Sequence, residues 1–296
     1  MDKSEKFLEN KNLLFSIAYN MVGMVEDAED LVQETFLKWS ALDAGQVIHA
    51  KAYLVKIITN LSMDYLNSAR KKRTAYIGPW LPEPLMKEKV ADSFKSIDLY
   101  HSLSIGMMVL LEKLTSSERA VFLLREVFSY DYAEIAIIVD KSEENCRQIF
   151  NRAKKNLGGR EKRFEIDVEA HEKILNRFLS AVHDGNVKEL IELLREDVVL
   201  VTDGGGSSFT YGGQRFSAAL NPIVGQNNVS KFLTNVFEKV RFSVPGFSQK
   251  IVYINGLPSL ISYSFNKPIS LSSIEIAKDR ISNIYVYANR GKIKNL

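Results

Sequence analysis

The spacing of apolar residues changes once along this chain, and that change limits what it can fold into. From residue 1 to about 160 they recur at helical intervals, whereas beyond about 195 they gather in short β-rich runs separated by Gly, Asn and Pro. Helices first and a mostly antiparallel sheet afterwards predict an α+β layer arrangement for the C-terminal part. A length of 296 residues suits two or three domains. A second break falls at "YIGPWLPEPL", residues 76 to 85, where Pro79, Pro82 and Pro84 exclude a regular helix and favour an extended segment. The helical half is therefore expected as two units joined by a linker, with no internal repeat.

Charge is more informative in its distribution than in its total. The formal net charge is only +3, yet Arg70, Lys71, Lys72 and Arg73 are consecutive. From Arg147 to Arg163 the chain carries Arg147, Arg152, Lys154, Lys155, Arg160, Lys162 and Arg163 against Glu161 alone. Two local positive surfaces result, offset elsewhere by acidic helices. A single cysteine, Cys146, excludes an internal disulfide and a cysteine-cluster metal site. No apolar run approaches the ~18 residues of a membrane span, and "MDKSEKFLEN" lacks the apolar core of a secretion signal, so the expected location is cytoplasmic with no membrane contact.

In "DAEDLVQETFLKW", residues 27 to 39, Ala28, Leu31, Val32, Thr35, Phe36 and Trp39 keep the i, i+3, i+4 rhythm of a core-facing stripe. Asp27, Asp30, Glu34 and Lys38 fall on the other side, which makes either a solvated acidic face or a docking surface for a basic partner. The segment "KAYLVKIITNLSMDYLNSARKKR" places Leu54, Ile57, Ile58, Leu61 and Tyr65 on one stripe and Lys56, Asn60, Asp64 and Asn67 nearer the polar side. Its terminal cations suit the negative end of a helix dipole, and four in succession also suit phosphate.

Between Leu114 and Leu157 the helix signals are dense. "TSSE" supplies helix-start residues, Asp131 with Glu134 forms a capping-box pattern, and Ser142 with Glu143 and Glu144 opens a further helix after the short interruption "DKS". In that last helix Cys146, Ile149, Phe150, Ala153 and Leu157 make the apolar stripe. Asn145, Arg147, Gln148, Asn151, Arg152, Lys154 and Lys155 are left outside, so this reads as a helix-turn-helix. Arg suits guanine, Asn and Gln suit adenine, and cations suit phosphates. An ordinary helical hairpin with a soluble outer face is the competing reading.

Further on, His171, Ile174, Leu175, Phe178, Leu179 and Val182 line one helix face, and Val229, Phe232, Leu233, Val236, Phe237 and Val240 another. "VVLVT", "QKIVYI", "SLISYSF", "ISLSSIEIA" and "ISNIYVYA" read as strands, with turns at "DGGG", "NGLP" and "KDR". Asp203 ahead of three glycines is explained by turn chemistry.

Together these segments resemble an extracytoplasmic-function sigma factor, and "GPWLPEP", "NCRQ" and "DGGG" resemble the group with a fused SnoaL-like C-terminal domain. The resemblance implies a multidomain chain: two all-α sigma domains, the second a helix-turn-helix, then an α+β SnoaL-like cone with a curved, mostly antiparallel sheet. Residues 1–75 would be region 2, 76–97 a Pro-containing linker, 98–160 region 4, and 164–296 the regulatory domain. It implies that Asp27, Asp30, Leu31, Gln33, Glu34 and Phe36 contact the beta-prime clamp helices of core RNA polymerase. Asn60, Asp64, Arg70, Lys71, Lys72 and Arg73 would lie at the minus-ten element of promoter DNA. Asn145, Arg147, Gln148, Asn151, Arg152, Lys154 and Lys155 would lie at the minus-thirty-five element. Trp80, Leu81, Pro82, Glu83, Pro84, Asp203, Gly204, Gly205 and Gly206 would make the regulatory contact between linker and C-terminal domain.

The implied protein needs no cofactor or metal and is not an enzyme; RNA synthesis belongs to polymerase. A small ligand of unidentified chemistry could bias the C-terminal domain. The alternative is a small-molecule sensor or cyclase/isomerase-like enzyme fused to a DNA-binding module, for which Asp203, His171 and His183 are the available groups. The chain departs from the group's pattern at Ser207, where Lys or Arg is usual, and in "NRGKIKNL" from Asn289, where Asn-Pro-Asp-Lys-Leu is usual.

Overall fold

The computed structural model describes residues 3–42, 49–73, 76–86, 103–158, 167–206, 208–211, 214–294 and 296. The chain forms two compact units: Met1–Thr74 with Val90–Phe164, and Ala75–Lys89 with Glu165–Leu296. The Pro-rich segment thus belongs with the C-terminal domain, although it lies in sequence between the two helical regions.

The first unit contains α1 (Lys3–Val22), α2 (Val25–Ser40), α3 (Ala50–Arg73), α4 (Ile105–Leu111), α5 (Ser116–Phe122), α6 (Tyr132–Val139) and α7 (Glu143–Leu157), with a π-helical turn at Leu123–Val127 after α5. Local chemistry sets their ends. Thr115 and Asp131 each form a reciprocal capping box, with Glu118 and Glu134 respectively. Ser142 caps α7 through Asn145 N at 3.2 Å. Asp140 takes a left-handed conformation, φ 55°, which ends α6 and makes the tight turn that precedes α7.

α3 packs against α1 and α2 and also against α5 and α6, so the two helical regions form one body and share a core. Asn60 Nδ2 donates to the Ile138 carbonyl at 3.3 Å, and Ser116 Oγ donates to Asn67 Oδ1 at 2.8 Å. Arg119, only 3% exposed, donates to the carbonyls of Leu111 (3.1 Å) and Met21 (2.6 Å) and pairs with Glu112. A buried guanidinium needs all its donors satisfied. Here it gains them by bridging the end of α1 to the α4–α5 corner.

The second unit contains α8 (Val168–His183), α9 (Val187–Leu193), β1 (Leu194–Asp203), β2 (Ser208–Tyr211), β3 (Gln214–Ser217), β4 (Ile223–Val224), α10 (Gln226–Ser243), β5 (Phe247–Ile254), β6 (Leu257–Ser264), β7 (Lys267–Ala277), β8 (Arg280–Tyr287) and α11 (Arg290–Ile293). A six-stranded sheet runs β4-β1-β8-β7-β6-β5, antiparallel except for the β1–β8 pair. β2 and β3 form a separate hairpin. At Asn255 and Gly256, both with positive φ (50° and 78°), the two-residue turn matches the strand twist and fixes the β5–β6 register. Leu175, Phe178, Leu190, Leu200, Val229 and Ile284 are among the core residues between the helices and one sheet face. Among the described residues no helix is long and apolar enough to cross a membrane.

Candidate functional site

On α7 the apolar stripe is buried and its polar residues point outward. Cys146 and Ala153 are 0% exposed, while Asn145, Arg147, Gln148, Asn151, Arg152 and Lys155 are exposed. Burial also raises the Cys146 thiol pKa, as suits an inert core position. Arg147 pairs with Glu143 at 3.0 Å, and its guanidinium lies 5.0 Å from the centre of the Tyr132 ring. Arg125, from the π-helical turn, lies 4.9 Å from the same ring. Lys154 is more enclosed, 3.7 Å from Glu126 and packed over Phe150. One face of the helix-turn-helix therefore collects six exposed polar or cationic residues on a rigid, doubly capped scaffold.

On α2 the candidate residues divide. Asp30, Gln33 and Glu34 are exposed, with Glu34 paired to Lys38 at 3.3 Å. Phe36, on the stripe expected to face the core, is 37% exposed and packs its ring 4.9 Å from Phe7. Leu31, in contrast, is 6% exposed and belongs to the core, because its position in the i, i+3 rhythm turns it onto α1 and α3. Asp27 accepts a hydrogen bond from Tyr65 Oη of α3, so its carboxylate holds two helices together.

On α3, Asp64 and Asn67 are exposed and Asn60 is half-buried against α6. Arg70, Lys71, Lys72 and Arg73 occupy the last turn of the helix; their side chains lie outside the described residues. So does Ser207.

The densest polar site is in the second unit, around Asp203. It ends β1, is fully buried, and accepts from the Leu81 amide at 2.9 Å, Lys292 Nζ at 2.7 Å and the Tyr76 hydroxyl. Its own carbonyl accepts from Ala288 and Asn289 amides at 2.8 and 2.9 Å. Turn chemistry is therefore not what requires Asp here: the carboxylate is the hub that binds the Pro-rich segment. Lys292 Nζ also reaches the Leu81 carbonyl and sits 4.3 Å from the Trp80 ring centre. Burial and the neighbouring Asp203 carboxylate push the Tyr76 hydroxyl pKa far up, keeping it a proton donor.

The glycines make room. A Cβ on Gly204 would stand 2.5 Å from Ala218 Cβ. Gly205 has φ +54°, and a Cβ there would meet Asn289 Nδ2 at 2.7 Å and Tyr76 Oη at 2.9 Å; one on Gly206 would meet Ile77. A second anchor holds the far end of the segment: Leu85 N donates to Asn255 Oδ1 (3.0 Å) and Asn255 N donates to Leu85 O (2.9 Å). Between the anchors Leu81, Pro82, Glu83 and Pro84 are buried, with Trp80 half-buried.

Tyr76, Asn255, Asn289 and Lys292 were not among the expected contacts. The tail carried a signal for two of them, because "NRGKI" keeps the Asn and Lys of Asn-Pro-Asp-Lys-Leu and replaces Leu by Ile. The two replaced central residues, Arg290 and Gly291, are exposed, and Ile293 is buried. The tail thus retains the atoms that touch Asp203 and Tyr76.

His171 and His183 do not join this site. His171 is 2% exposed in α8, its pKa lowered by desolvation against a smaller opposing hydrogen bond to the Pro258 backbone. His183 is exposed beside Asp184 at 3.3 Å, with its ring centre 5.7 Å from that of Phe237 and tilted by 53°.

Comparison with known proteins agrees with this layout. The sigma-70 region 2 family matches residues 7–72 and the sigma-70 region 4 family residues 106–157. Two sigma modules in this order, followed by an α+β domain with an open, mixed sheet, are the layout of a sigma factor of the extracytoplasmic-function class with a fused C-terminal domain. Within that class the chain is a homologue of the sigma factor SigJ of Mycobacterium tuberculosis, to which it is 28% identical over 94% of its length and 89% of the relative's. It is 25% identical over 77% of its length to the probable sigma factor SigI of the same species, spanning 83% of that relative. The crystal structure of M. tuberculosis SigJ superposes with a TM-score of 0.75 at 24% identity, covering 99% of this chain and 98% of that one, a likeness of fold.

Proposed function

We propose that this protein binds core RNA polymerase and directs it to promoters, and that its C-terminal domain regulates this by holding the Pro-rich linker. The observation that carries the regulatory reading is the engagement of the buried Asp203 carboxylate by Tyr76 and Leu81 of the Pro-rich segment and by Lys292 of the tail. A linker bonded this way through residues 76–86 cannot at the same time run extended through polymerase. The bound and released forms of the linker are therefore exclusive, and any partner preferring one shifts the balance.

The exposed acidic face of α2, at Asp30, Gln33, Glu34 and Phe36, is the surface offered to the beta-prime clamp helices. The outer face of α7 is offered to the minus-thirty-five element, where Arg147 and Gln148 can read base edges and Arg152 and Lys155 can hold phosphates. At the minus-ten element Asn60 has a second task, because it is bonded to the Ile138 carbonyl in the closed first unit. Regions 2 and 4 must part before Asn60 reaches a base. The C-terminal domain is regulatory in this reading, not catalytic: Asp203 is consumed by an ion pair, His171 is enclosed and His183 faces solvent.

Run-off transcription with purified core polymerase tests both halves. Specific transcripts should depend on this protein, and deletion beyond residue 164 or Asp203→Asn should change output in the same direction. Transcripts formed equally without it would remove the promoter-directing role. Output unmoved by either change would remove the regulatory one.

A further inference from the structure

We infer that the face of the sheet turned away from α8 and α10 carries, beside the edge strand β5, a binding site for a planar aromatic molecule with one anionic group. The inference goes beyond the regulatory reading and does not depend on it. A groove of about 710 Å³ lies there, within the ~300–1,000 Å³ usual for small-molecule sites. The register of β5 on β6 places its floor. Ser248 pairs with Tyr263, Lys250 with Ile261 and Val252 with Ser259, and alternation puts all six on one face. Gln249, Leu260 and Ser262 fall on the other face, turned to α10.

The charge is supplied by one residue. Among the described residues lining the groove, Lys250 alone has a charged side chain, and no carboxylate is paired with it. A lysine on an edge strand ordinarily guards the free edge against pairing with another strand. Here Nζ is instead held 5.0 Å from the centre of the Tyr263 ring, over the strand inboard of β5, so its charge is presented to the groove. An ammonium in that position repels a cationic ligand, gains little from a neutral one and is neutralised by an anion.

The aromatic part is specified by Phe265, which also lines the groove. It opens the two-residue turn between β6 and β7 at φ 54°, a conformation in which Asn, Asp or Gly is usual and a bulky ring is rare. Its ring rests on Gly246, where a Cβ would stand 2.5 Å from Phe265 Cδ1, and is still 67% exposed. A turn shaped by folding alone would carry Asn here and leave no ring in water. Phe265 and Tyr263 together offer ring surface on which a flat aromatic body stacks, with Lys250 and the Asn266 amide as partners for its anionic group.

Carboxylates and phosphate esters share this chemistry, so the full-length protein should be titrated with naphthoate and naphthyl phosphate, beside naphthamide, which lacks the charge, and octanoate, which lacks the ring. Ligand-observed NMR reads the binding. A naphthyl anion is expected to bind saturably, the tighter of the two naming the source, with naphthamide and octanoate about three- to tenfold weaker. Lys250→Gln should bring that anion down to the affinity of naphthamide. Phe265→Asn, which suits the turn and so keeps the fold, should weaken it about fivefold. No saturable binding, equal affinity for the anion and naphthamide, or an unchanged affinity in either variant would each overturn the proposal. So would a concentration-dependent dimer lost in Phe265→Asn, which would give this face to a second copy of the chain. None of these measurements involves transcription, so the regulatory reading stands or falls separately.

Discussion

The carboxylate of Asp203 and the ammonium of Lys292 lie 2.7 Å apart with 0% and 5% of their side chains exposed. Removing one member of a buried ion pair strands the other, at a cost of about 3–5 kcal/mol. Lys292→Ala is therefore expected to destabilise the second unit by about that amount and to loosen the Pro-rich segment. Chemical denaturation of the full chain measures the first effect. Faster proteolysis within residues 76–86 measures the second.

Gly205→Ala should act on the same contact from the opposite side. At φ +54° a side chain costs about 1–2 kcal/mol, and the new methyl would also press on Asn289 and Tyr76. The expected result is a loss of about 2 kcal/mol or more in unfolding free energy, with the cleavage pattern of the Lys292 variant. Gly185→Ala, with φ +64° but open space around its Cβ, should show only the backbone cost.

Much of this architecture was legible from local chemistry. The capping boxes at Thr115 and Asp131, the α7 stripe, α8 and α10 of the second unit and its five long strands follow from periodicity and turn residues acting over a few positions. Contacts between distant segments were not legible. The packing of α3 on α5 and α6 depends on pairs such as Asn60 with Ile138, and no periodicity within either segment announces a partner in the other. Asp203 shows a related limit: Asp before Gly is so well suited to turns that its sequence neighbours conceal a buried counter-ion 89 residues away, and only the family resemblance set it against the linker. Leu31 could be placed in the core from the i, i+3 rhythm, and the structure buries it there.

Arg147→Ala and Gln148→Ala should weaken dependence on the minus-thirty-five sequence by about 1–3 kcal/mol per lost base contact, leaving stability nearly unchanged because both side chains are exposed. Tyr132→Ala should reproduce part of the Arg147 effect, since the ring supports that guanidinium from 5.0 Å. Binding titrations on matched and scrambled duplexes at fixed salt separate base reading from phosphate attraction.

Asp30→Lys and Glu34→Lys should reduce capture by core polymerase without unfolding the first unit, because both side chains are exposed on α2. Asp27→Asn should behave differently, weakening the α2–α3 contact through Tyr65 and lowering stability. Co-purification with core enzyme, set beside thermal melts of each variant, distinguishes surface loss from fold loss. Undiminished capture by the Asp30 and Glu34 variants would return this face to solvent.

His171 sets an acid limit on the second unit. Its folded-state pKa lies below the ordinary value of 6.5 because desolvation penalises the imidazolium. Below pH 6.5 the unfolded chain therefore takes up a proton that the folded chain refuses, and stability falls with pH until the folded pKa is passed. Above pH 6.5 both states are neutral at this position and the dependence vanishes. His171→Phe keeps an aromatic ring at the buried site and removes the titration. Its unfolding free energy should be flatter between pH 6.5 and 5 than that of the wild type. Parallel pH profiles would assign the acid sensitivity to other groups.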